Sequence, residues 1–303
     1  MPLLDPQRLY QLWERQHWSC WAIDLSSDGD SWRSLAAAHR ERLRWHLATF
    51  FVGEDRVAVE LGPLVAAHET AAEAAFLSTQ QVDEVRHAQH FARFYQEVLG
   101  AGDRFEACVA RAREEASAPA LELVDVRLRL AAAQLAAEPA SVAAKVRFVT
   151  MYHLVIEGML ALAGQTMLLD FLDRHRVLPG WREGLRLIAR DEHRHVAYGV
   201  WLLREKAADP GLRSVIADEL GSLLPLAAEV LVPAGARPER FRPLGWDGLR
   251  LRRVAFSALS RRLGLIGVPA PSPLDELAAA VWPRAPRVPR PGCGIGERAS
   301  TLT

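Results

Sequence analysis

The chain has 303 residues, 50% of them hydrophobic and 24% charged, so it can bury a large core and has the composition of an ordinary soluble protein. Lys plus Arg and Asp plus Glu both total 37, so the global charge gives no reason to expect binding to nucleic acid or to an anionic membrane. Three widely spaced cysteines without a CxxC pair argue against a zinc–thiolate site and a disulfide framework, which fits a reducing compartment.

The N-terminal part of the chain predicts helices and no export signal. Residues 1–17 lack the basic segment and apolar core of a secretion signal, and we treat them as an extension. No apolar run reaches about 18 residues, so we expect a cytoplasmic protein without stable membrane insertion. Helical patterns cover residues 34–99, with breaks at Gly62-Pro63 and before Thr70, which can cap a new helix.

The rest of the chain shows helical periodicity and no sustained period-two alternation, which predicts an all-α fold. Ser141 can cap a long helix that passes Glu157. The predicted helices beyond the first hundred residues are 119–136, 141–175, 181–207, 212–231 and about 245–264. Prolines and arginines cluster in 265–303, so we expect a largely disordered tail there and a domain that spans 18–264.

Two copies of Glu-x-x-His dominate the sequence, each with a single Glu upstream at a similar distance. The residues are Glu54, Glu84 and His87 in one half and Glu157, Glu192 and His195 in the other. Residues three apart on a helix project from one face, so each motif offers a carboxylate and an imidazole to one metal ion. Four carboxylates and two histidines on four helices define the dinuclear carboxylate bundles. The pattern therefore predicts a ferritin-like four-helix bundle core with additional helices and a carboxylate-bridged pair of metal ions.

Glu157 is the most informative single residue, because it lies within an apolar stretch where an unpaired carboxylate is very costly to bury. A neighbouring Arg, or His153 one turn earlier, is an alternative partner for it. For Glu157 alone the two interpretations are equally good. The matching Glu54 and the repeated motif favour metal binding.

The aspartates that precede the two motif glutamates leave an ambiguity, since Asp83 and Asp191 also lie one turn from the motif histidines. We assign the ligand role to the glutamates because both halves then share one spacing. The aspartates are predicted to accept the other ring N–H of a ligand histidine. For Asp83, a surface ion pair with Arg86 is at least as good an interpretation. His90 and His193 are expected at exposed polar positions rather than as ligands.

The donor set indicates which metals and which chemistry to expect. Oxygen and nitrogen ligands without thiolates suit iron and manganese. Two bridged ions of this kind commonly reduce O2 in a buried pocket. Tyr152 lies five residues before Glu157, near enough to be oxidised, although from position alone a core tyrosine with a satisfied hydroxyl group is the better interpretation.

Four segments of the chain resemble the R2-like ligand-binding oxidases of the ribonucleotide reductase small-subunit superfamily. They are 51–57, 152–164, Asp83-Glu84-Val85-Arg86-His87, and 191–199 with its Asp191-Glu192-His193-Arg194-His195. The similarity extends from about Trp18 to Arg262 and is most specific between 150 and 200.

This resemblance implies an O2-dependent oxidase with a heterodinuclear manganese–iron centre, with di-iron as the alternative. It assigns to the manganese half Glu54, Glu84 and His87, and to the iron half Glu157, Glu192 and His195. Glu84 would be a bridging carboxylate. The resemblance also implies an ether cross-link between Val57 and Tyr152, a long-chain fatty acid in an apolar pocket against the metals, and a homodimer.

Some positions depart from the family pattern, and two other functions remain open. Gln165 and Thr166 stand where aromatic residues are frequent, which predicts a more polar or differently shaped pocket. A ribonucleotide reductase small subunit is the rival enzyme, which is disfavoured because no tyrosine follows residue 268 and Phe91 occupies the usual position of the radical tyrosine. A metal- or lipid-binding bundle without turnover is the third interpretation.

Overall fold

The computed structural model describes residues 3–233 and 242–270, and every regular element within these ranges is helical. The α-helices are α1 (Pro6–Gln16), α2 (Asp28–Ser34), α3 (Ala37–Glu60), α4 (Gly62–Ala66), α5 (Ala71–Glu97), α6 (Phe105–Glu115), α7 (Ala118–Leu121), α8 (Arg129–Ala137), α9 (Val142–Val149), α10 (Leu162–His175), α11 (Pro179–Lys206), α12 (Pro210–Leu231) and α13 (Gly248–Ile266). Two π-helical segments, π1 (Glu122–Leu128) and π2 (Thr150–Ala161), continue the helices that flank them. The predicted all-α fold is confirmed.

The helix boundaries follow capping signals in the sequence. The Thr70 hydroxyl group accepts a hydrogen bond from the Glu73 N–H at 3.2 Å, and the Ser141 hydroxyl group accepts one from the Ala144 N–H at 3.3 Å. Both predicted caps are therefore confirmed. Helix α11 begins at Pro179, two residues earlier than predicted, because a proline in the first turn lacks only an N–H that has no partner there.

The core consists of two packed pairs of helices. Helix α3 packs against α5, the segment π2 packs against α11, and α5 contacts α11 between the pairs. Helices α12 and α13 pack on π2. The four elements that carry the two motifs and their upstream glutamates thus enclose one interior, which is the ferritin-like arrangement.

Both ends of the predicted domain can be compared with the structure. Residues 1–17, which we treated as an extension, contain α1, and α1 packs on α5 and α11. Its Leu9 is fully buried, and its Trp13 indole donates to the Asp83 carboxylate at 2.8 Å. At the other end α13 continues to Ile266, and the predicted disordered tail lies outside the described residues from 271 onward.

Helix α9, π2 and α10 form one continuous helix from Val142 to His175. By length and composition it is long and apolar enough to cross a membrane, with a mean hydropathy of 1.4 in its most apolar window. However, 61% of that window is buried inside the protein, and Glu157 lies in its middle. Such burial is typical of the central helix of a bundle.

Two glycines allow π2 to approach its neighbours closely. A Cβ atom at Gly199 of α11 would lie 2.2 Å from the Cβ atom of His153. A Cβ atom at Gly158 would lie 2.7 Å from the His153 carbonyl oxygen and 3.1 Å from Nε of Arg262. The contacts at 2.2 and 2.7 Å are closer than real side chains permit, so Gly199 is required where α11 packs on π2, and Gly158 is required within π2 itself.

Candidate metal centre

The six predicted ligands converge in the interior of the bundle. Helix α3 supplies Glu54, α5 supplies Glu84 and His87, π2 supplies Glu157, and α11 supplies Glu192 and His195. Their donor atoms form two groups, each within 4.8 Å, which are Glu54, Glu84, His87 and Glu192, and Glu84, Glu157, Glu192 and His195. All six side chains are buried. Since Glu84 and Glu192 occur in both groups, they lie between two candidate metal positions.

The first position is defined by the ring of His87. Its Nδ1 atom lies 3.3 Å from Glu54 Oε2 and 3.7 Å from both Glu84 Oε2 and Glu192 Oε1. Three carboxylate oxygens therefore face one imidazole nitrogen around a common point. This set of oxygen and nitrogen donors is one that a divalent iron or manganese ion accepts.

The second position is defined by the ring of His195. Its Nδ1 atom lies 3.0 Å from Glu84 Oε1, 3.2 Å from Glu157 Oε1 and 3.7 Å from Glu192 Oε2. Glu84 thus presents one oxygen to each histidine, and Glu192 does the same. The resemblance named Glu84 as a bridging carboxylate, and in the structure Glu192 has an equivalent geometry.

An aspartate of each motif contacts the histidine of the other motif. His87 Nε2 lies 3.4 Å from Asp191 Oδ2, and His195 Nε2 lies 3.2 Å from Asp83 Oδ2. A carboxylate at this ring nitrogen fixes the orientation of an imidazole and leaves the opposite nitrogen free for a metal. The two contacts cross between α5 and α11.

Two tryptophans near the N-terminus complete these contacts. Trp18 Nε1 donates to Asp191 Oδ2 at 2.6 Å, and Trp13 Nε1 donates to Asp83 Oδ1 at 2.8 Å. Each half therefore has a chain of indole, carboxylate and imidazole. Sequence reasoning missed both tryptophans, because no spacing rule connects positions so far from the motifs in the chain.

Two arginines neutralise the aspartates in the interior. Arg194 donates to Asp191 Oδ1 at 2.7 Å and to Asp83 Oδ2 at 3.0 Å, and Arg86 donates to Asp83. Asp83 and Asp191 are fully buried. Asp83 does pair with Arg86 as the alternative predicted, but in the interior rather than at the surface, because the packing of α1 on α5 removes this side chain from solvent.

Tyr152 and Gln80 lie directly beside the ligands. The Tyr152 hydroxyl group donates to Glu84 Oε1 at 2.6 Å, and Gln80 Nε2 donates to the Tyr152 oxygen at 3.1 Å and to Glu157 Oε1 at 3.4 Å. His153, the alternative partner of Glu157, instead lies 3.3 Å from Gln80 Oε1 through its Nε2 atom. Sequence reasoning missed Gln80, although its position one turn before Glu84 is a signal for it.

The two remaining motif histidines differ in burial. His193 is exposed, as predicted. The prediction of an exposed position is wrong for His90, which is fully buried and stacks on Trp181 with ring centroids 4.9 Å apart. Burial lowers the pKa of His90 to about 3, with Arg93 acting in the same direction. His90 is therefore a neutral core side chain.

Burial and like charge alter the acidity of two carboxyl groups in the metal-free centre. Burial raises the pKa of Glu54 to about 8, although the adjacent His87 acts in the opposite direction. Burial also raises the pKa of Glu157 well above its usual value, and the charge of Glu192 adds to this effect. The protonated forms of both carboxyl groups are therefore favoured, and Glu54 retains its proton near neutral pH.

Glu84 and the two ligand histidines are instead held in their charged forms. Burial favours the neutral form of Glu84, yet the nearby His195 and His87 outweigh it and hold the pKa of Glu84 well below the usual value. In the same way the carboxylates around His87 and His195 outweigh burial and raise both histidine pKa values well above the usual range. Protons thus supply the positive charge that this cluster of carboxylates requires.

Carboxylate oxygens without hydrogen-bond partners also indicate that this cluster can hold a pair of cations. Glu157 Oε2 and Glu192 Oε2 are buried and have no hydrogen-bond partner among the described residues. A buried carboxylate oxygen without a partner is costly, and a metal ion in either position would satisfy it. The cluster is therefore able to hold a dinuclear metal centre.

A cavity of about 100 Å³ borders the cluster. At the metal end it is lined by Glu54, Glu84, Glu157, Glu192, Val57 and Tyr152, and elsewhere mainly by apolar residues of α3, π1, π2, α10, α12 and α13. Gln165 and Thr166 are absent from this lining, so they do not make the pocket more polar as expected. The Thr166 hydroxyl group is exposed and donates to the Leu162 carbonyl group.

Comparison with known proteins agrees with this geometry. Residues 5–215 match the family described as "Ribonucleotide reductase, small chain". The fold resembles solved structures of R2-like ligand-binding oxidase variants with an aerobically reconstituted Mn/Fe cofactor. A valine-to-isoleucine variant has a TM-score of 0.78 at 22% sequence identity, covering 86% of this chain and 94% of that one. A glutamate-to-aspartate variant has the same TM-score and identity, covering 86% and 93%.

The family match covers more than half of the chain, including both motifs and all six candidate ligands. The structural similarity supports the same fold across most of the described residues. The chain belongs to the ribonucleotide reductase small-chain family.

Proposed function

We propose that the protein is an O2-dependent dimetal-carboxylate oxidase with a buried pocket for an apolar ligand. The observation that carries this proposal is the pair of donor groups that share Glu84 and Glu192 and border a largely apolar cavity. A metal pair at that place would face a space from which bulk water is displaced, which is what oxidation of a hydrocarbon-like substrate requires.

The proposed cofactor is one manganese and one iron ion. Glu54, Glu84 and His87 would hold manganese, and Glu157, Glu192 and His195 would hold iron. The donor chemistry suits both metals, and the solved relatives carry a Mn/Fe cofactor, with di-iron as the alternative. When bound, the two ions supply the oxidising power towards O2.

A first experiment tests the assignment of the ligands. Glu157→Ala should remove the metal of its half, because two carboxylates and His195 remain there without the fourth donor. Metal content per chain is measured by elemental analysis after loading with both metals. Glu205→Ala, at an exposed position on the same helix as His195, is the control and should bind the full complement. Full metal content in Glu157→Ala would refute the assignment.

The proposed ligand of the cavity is a long-chain fatty acid. Its carboxylate would face the metal end, and its chain would extend along α3, which contributes Phe50 and Gly53 to the lining. No atom lies within 4 Å of a Cβ atom placed on Gly53, so this face of α3 is open to the cavity. The solved relatives are ligand-binding oxidases, which is consistent with such a pocket.

Filling the cavity from Gly53 tests this part of the proposal. Gly53→Leu should weaken binding of hexadecanoic acid at least tenfold, because the new side chain would occupy the space of the alkyl chain. The matched control is Gly221→Leu, an exposed helical glycine whose Cβ position is equally open. Isothermal titration calorimetry on the metal-loaded protein gives both affinities. Equal binding by the two variants would contradict the pocket assignment.

We also propose an ether cross-link between Val57 and Tyr152. Both side chains line the cavity beside the metal ligands, and both are at least 96% buried. The Tyr152 oxygen would bond to the β-carbon of Val57, and the O–H and C–H bonds would break. The two electrons and two protons would go to O2, with Glu84, which accepts the Tyr152 hydrogen bond, as the first proton acceptor. Burial raises the pKa of Tyr152 well above its usual value, so the phenol keeps its proton until oxidation.

Mass spectrometry tests the cross-link. Protein loaded with manganese and iron is digested before and after exposure to air, and the peptides that contain Val57 and Tyr152 should merge into one species that is lighter by two hydrogens. Tyr152→Phe should leave the peptides separate under the same conditions. Separate peptides in the oxidised wild-type protein would exclude the cross-link and leave the metal centre untouched.

A ribonucleotide reductase small subunit and a carrier without turnover are two other functions, and both can be distinguished from an oxidase. A ribonucleotide reductase small subunit commonly uses a tyrosine one turn after the first ligand histidine, but here Phe91 occupies that position, 1% exposed and stacked on Phe51. A carrier without turnover would consume O2 once per site. Steady-state O2 consumption with candidate lipids separates a carrier from an oxidase, since only an oxidase continues beyond one equivalent.

A homodimer in the cytoplasm is the proposed state of the protein. Val59 on α3 and Val82 and Val85 on α5 are exposed by 64%, 50% and 48%. The Gln81 amide donates to the Ala58 carbonyl group at 3.1 Å, so the segments of α3 and α5 that carry these valines are adjacent. Exposed apolar side chains on adjacent segments favour contact with a second copy. The two cysteines among the described residues, Cys20 and Cys108, are buried and unpaired, which suits a reducing compartment.

A further inference from the structure

The cavity beside the metal centre has a polar group at each end. Along α3 its lining runs from Trp45 and His46 to Glu54 and Val57. Eight residues separate His46 from Glu54, which corresponds to about 12 Å along a helix axis at the usual rise per residue. Between the two ends the lining is mainly apolar, with Phe50 and Gly53 on α3 itself and Thr49 as the polar exception next to His46. A purely apolar ligand tail would therefore meet an imidazole at the end remote from the metals.

His46 has no role in the fold that explains its polarity. The residue is 4% exposed, and its Nε2 atom is buried without a hydrogen-bond partner among the described residues. Its nearest aromatic neighbour is Trp45, which it meets edge to face at 4.7 Å between ring centroids. A buried polar atom without a partner is costly, and an alkyl chain at this end would leave that cost in place.

His46 is also uncharged in the folded protein. Burial holds the pKa of His46 well below its usual value, and the positive charge of the adjacent Arg42 acts in the same direction. A neutral imidazole carries one hydrogen-bond donor and one acceptor. Thr49, one turn away on the same lining, donates its hydroxyl hydrogen to the Trp45 carbonyl group at 2.9 Å and keeps lone pairs that can accept.

We propose that the ligand of this cavity is a fatty acid with a hydroxyl group at the end opposite its carboxylate, and that His46 recognises this hydroxyl group. The inference rests on the proposed function, which places the carboxylate at the metal end. A hydroxyl group both donates and accepts, so it matches a neutral imidazole. A second carboxylate is a poorer match, because it can only accept hydrogen bonds and leaves the donor side of the match unused.

The experiment compares two series of probes on the metal-loaded full chain. Fatty acids from octanoic to hexadecanoic acid and their ω-hydroxy counterparts are titrated by calorimetry. At the best-fitting length the ω-hydroxy acid should bind about tenfold more tightly, which corresponds to one additional hydrogen bond. His46→Leu should abolish this preference while it leaves the affinity for the plain acid equal or higher, and His46→Gln should retain part of it. His68→Leu, at an exposed position outside the lining, should behave as wild type.

The outcomes separate this inference from the proposed function. Equal affinity of wild type for both series at every length would show that a water molecule or nothing satisfies His46, and would overturn the inference while the ligand pocket stands. The α,ω-dicarboxylic acid of the best-fitting length is titrated as a further probe, and tighter binding of it than of the ω-hydroxy acid would overturn the inference as well. Absence of binding by either series would overturn both proposals. The wild-type comparison decides the matter even if His46→Leu fails to fold.

Discussion

Glu54 illustrates at the residue scale how the centre behaves without metals. Its pKa of about 8 means that the folded, metal-free protein holds a proton there that the unfolded chain releases above about 4.5. The free energy of unfolding should therefore fall as pH rises from about 4.5 to about 8. The raised pKa values of His87 and His195 act in the same direction, since their stabilisation is lost as pH rises through those values. Glu84, with a lowered pKa, acts oppositely and only at acid pH.

Metal binding should consequently release protons. A metal ion needs the deprotonated forms of Glu54 and His87, so the affinity for Mn²⁺ should increase as pH rises from slightly acidic values through about 8. Calorimetric titrations in two buffers of different ionisation enthalpy count the protons released per ion. A titration without proton release near neutral pH would show that Glu54 is already ionised in the folded protein.

The aspartate contacts of the ligand histidines give a second prediction at this scale. Asp191→Asn keeps the shape of the side chain but removes the charge that faces His87 Nε2, so the affinity for the metal of that half should fall by about 10- to 100-fold. Competition with a chelator of known affinity measures the change. Asp173→Asn, a partly exposed position at the end of α10, should not alter the affinity. Unchanged affinity in Asp191→Asn would show that Trp18 and Arg194 orient the site without that charge.

Sequence alone predicted the ligands better than their surroundings. Spacing along a helix is a local property, so Glu84 and His87 could be recognised from their separation by three residues. The contact between Asp83 of α5 and His195 of α11 depends on how distant segments pack, and so does the contact of Trp18 with Asp191. No local pattern encodes such contacts. The burial of His90 was missed for the same reason.

The segment π2 determines the centre at the scale of a single element. Its wider turn places Glu157 and Tyr152 toward the same interior, and Gly158 lets it lie close to Arg262. Gly158→Ala would bring a Cβ atom to 2.7 Å from the His153 carbonyl oxygen, so part of the segment must shift. We expect the free energy of unfolding to fall by about 1–3 kcal/mol, as for other overpacked core positions.

Chemical denaturation measures this effect against a matched control. Gly221→Ala replaces an open, exposed glycine within α12 and should stabilise the protein by up to about 1 kcal/mol, because alanine is the better helix former. Opposite signs for the two substitutions are the expected result. A stabilised Gly158→Ala variant would show that π2 relaxes to an ordinary α-helix without cost.

The helices themselves were largely predictable, whereas π2 was not. Local sequence is enough to recognise capping residues such as Thr70 and Ser141, and to recognise helix breaks at prolines. A π-helical turn differs from an α-helical turn by one residue, and it forms here where functional side chains must face one point. Hydrophobic periodicity does not resolve that difference.

At the scale of the whole molecule, bound metals should hold the two helix pairs together and stabilise the folded protein. Ligands from α3, α5, π2 and α11 meet at one place, so ions that bind only the folded chain stabilise it by mass action. Metal loading at about 100 times the dissociation constant should add about 2.7 kcal/mol to the free energy of unfolding. Thermal unfolding with and without a chelator tests this, and Glu157→Ala should show a smaller gain. An identical midpoint in both states would show that the bundle does not depend on its metals.

The crossed aspartates have a consequence for how the ions are taken up. Asp191 of α11 orients His87, and Asp83 of α5 orients His195. An ion bound in one position fixes α5 and α11 relative to each other, and therefore also orients the histidine of the other position before the second ion binds. Loading should therefore be cooperative, with positive coupling between the two positions. When metal is supplied below stoichiometry, native mass spectrometry should find empty and doubly filled chains in excess over singly filled ones.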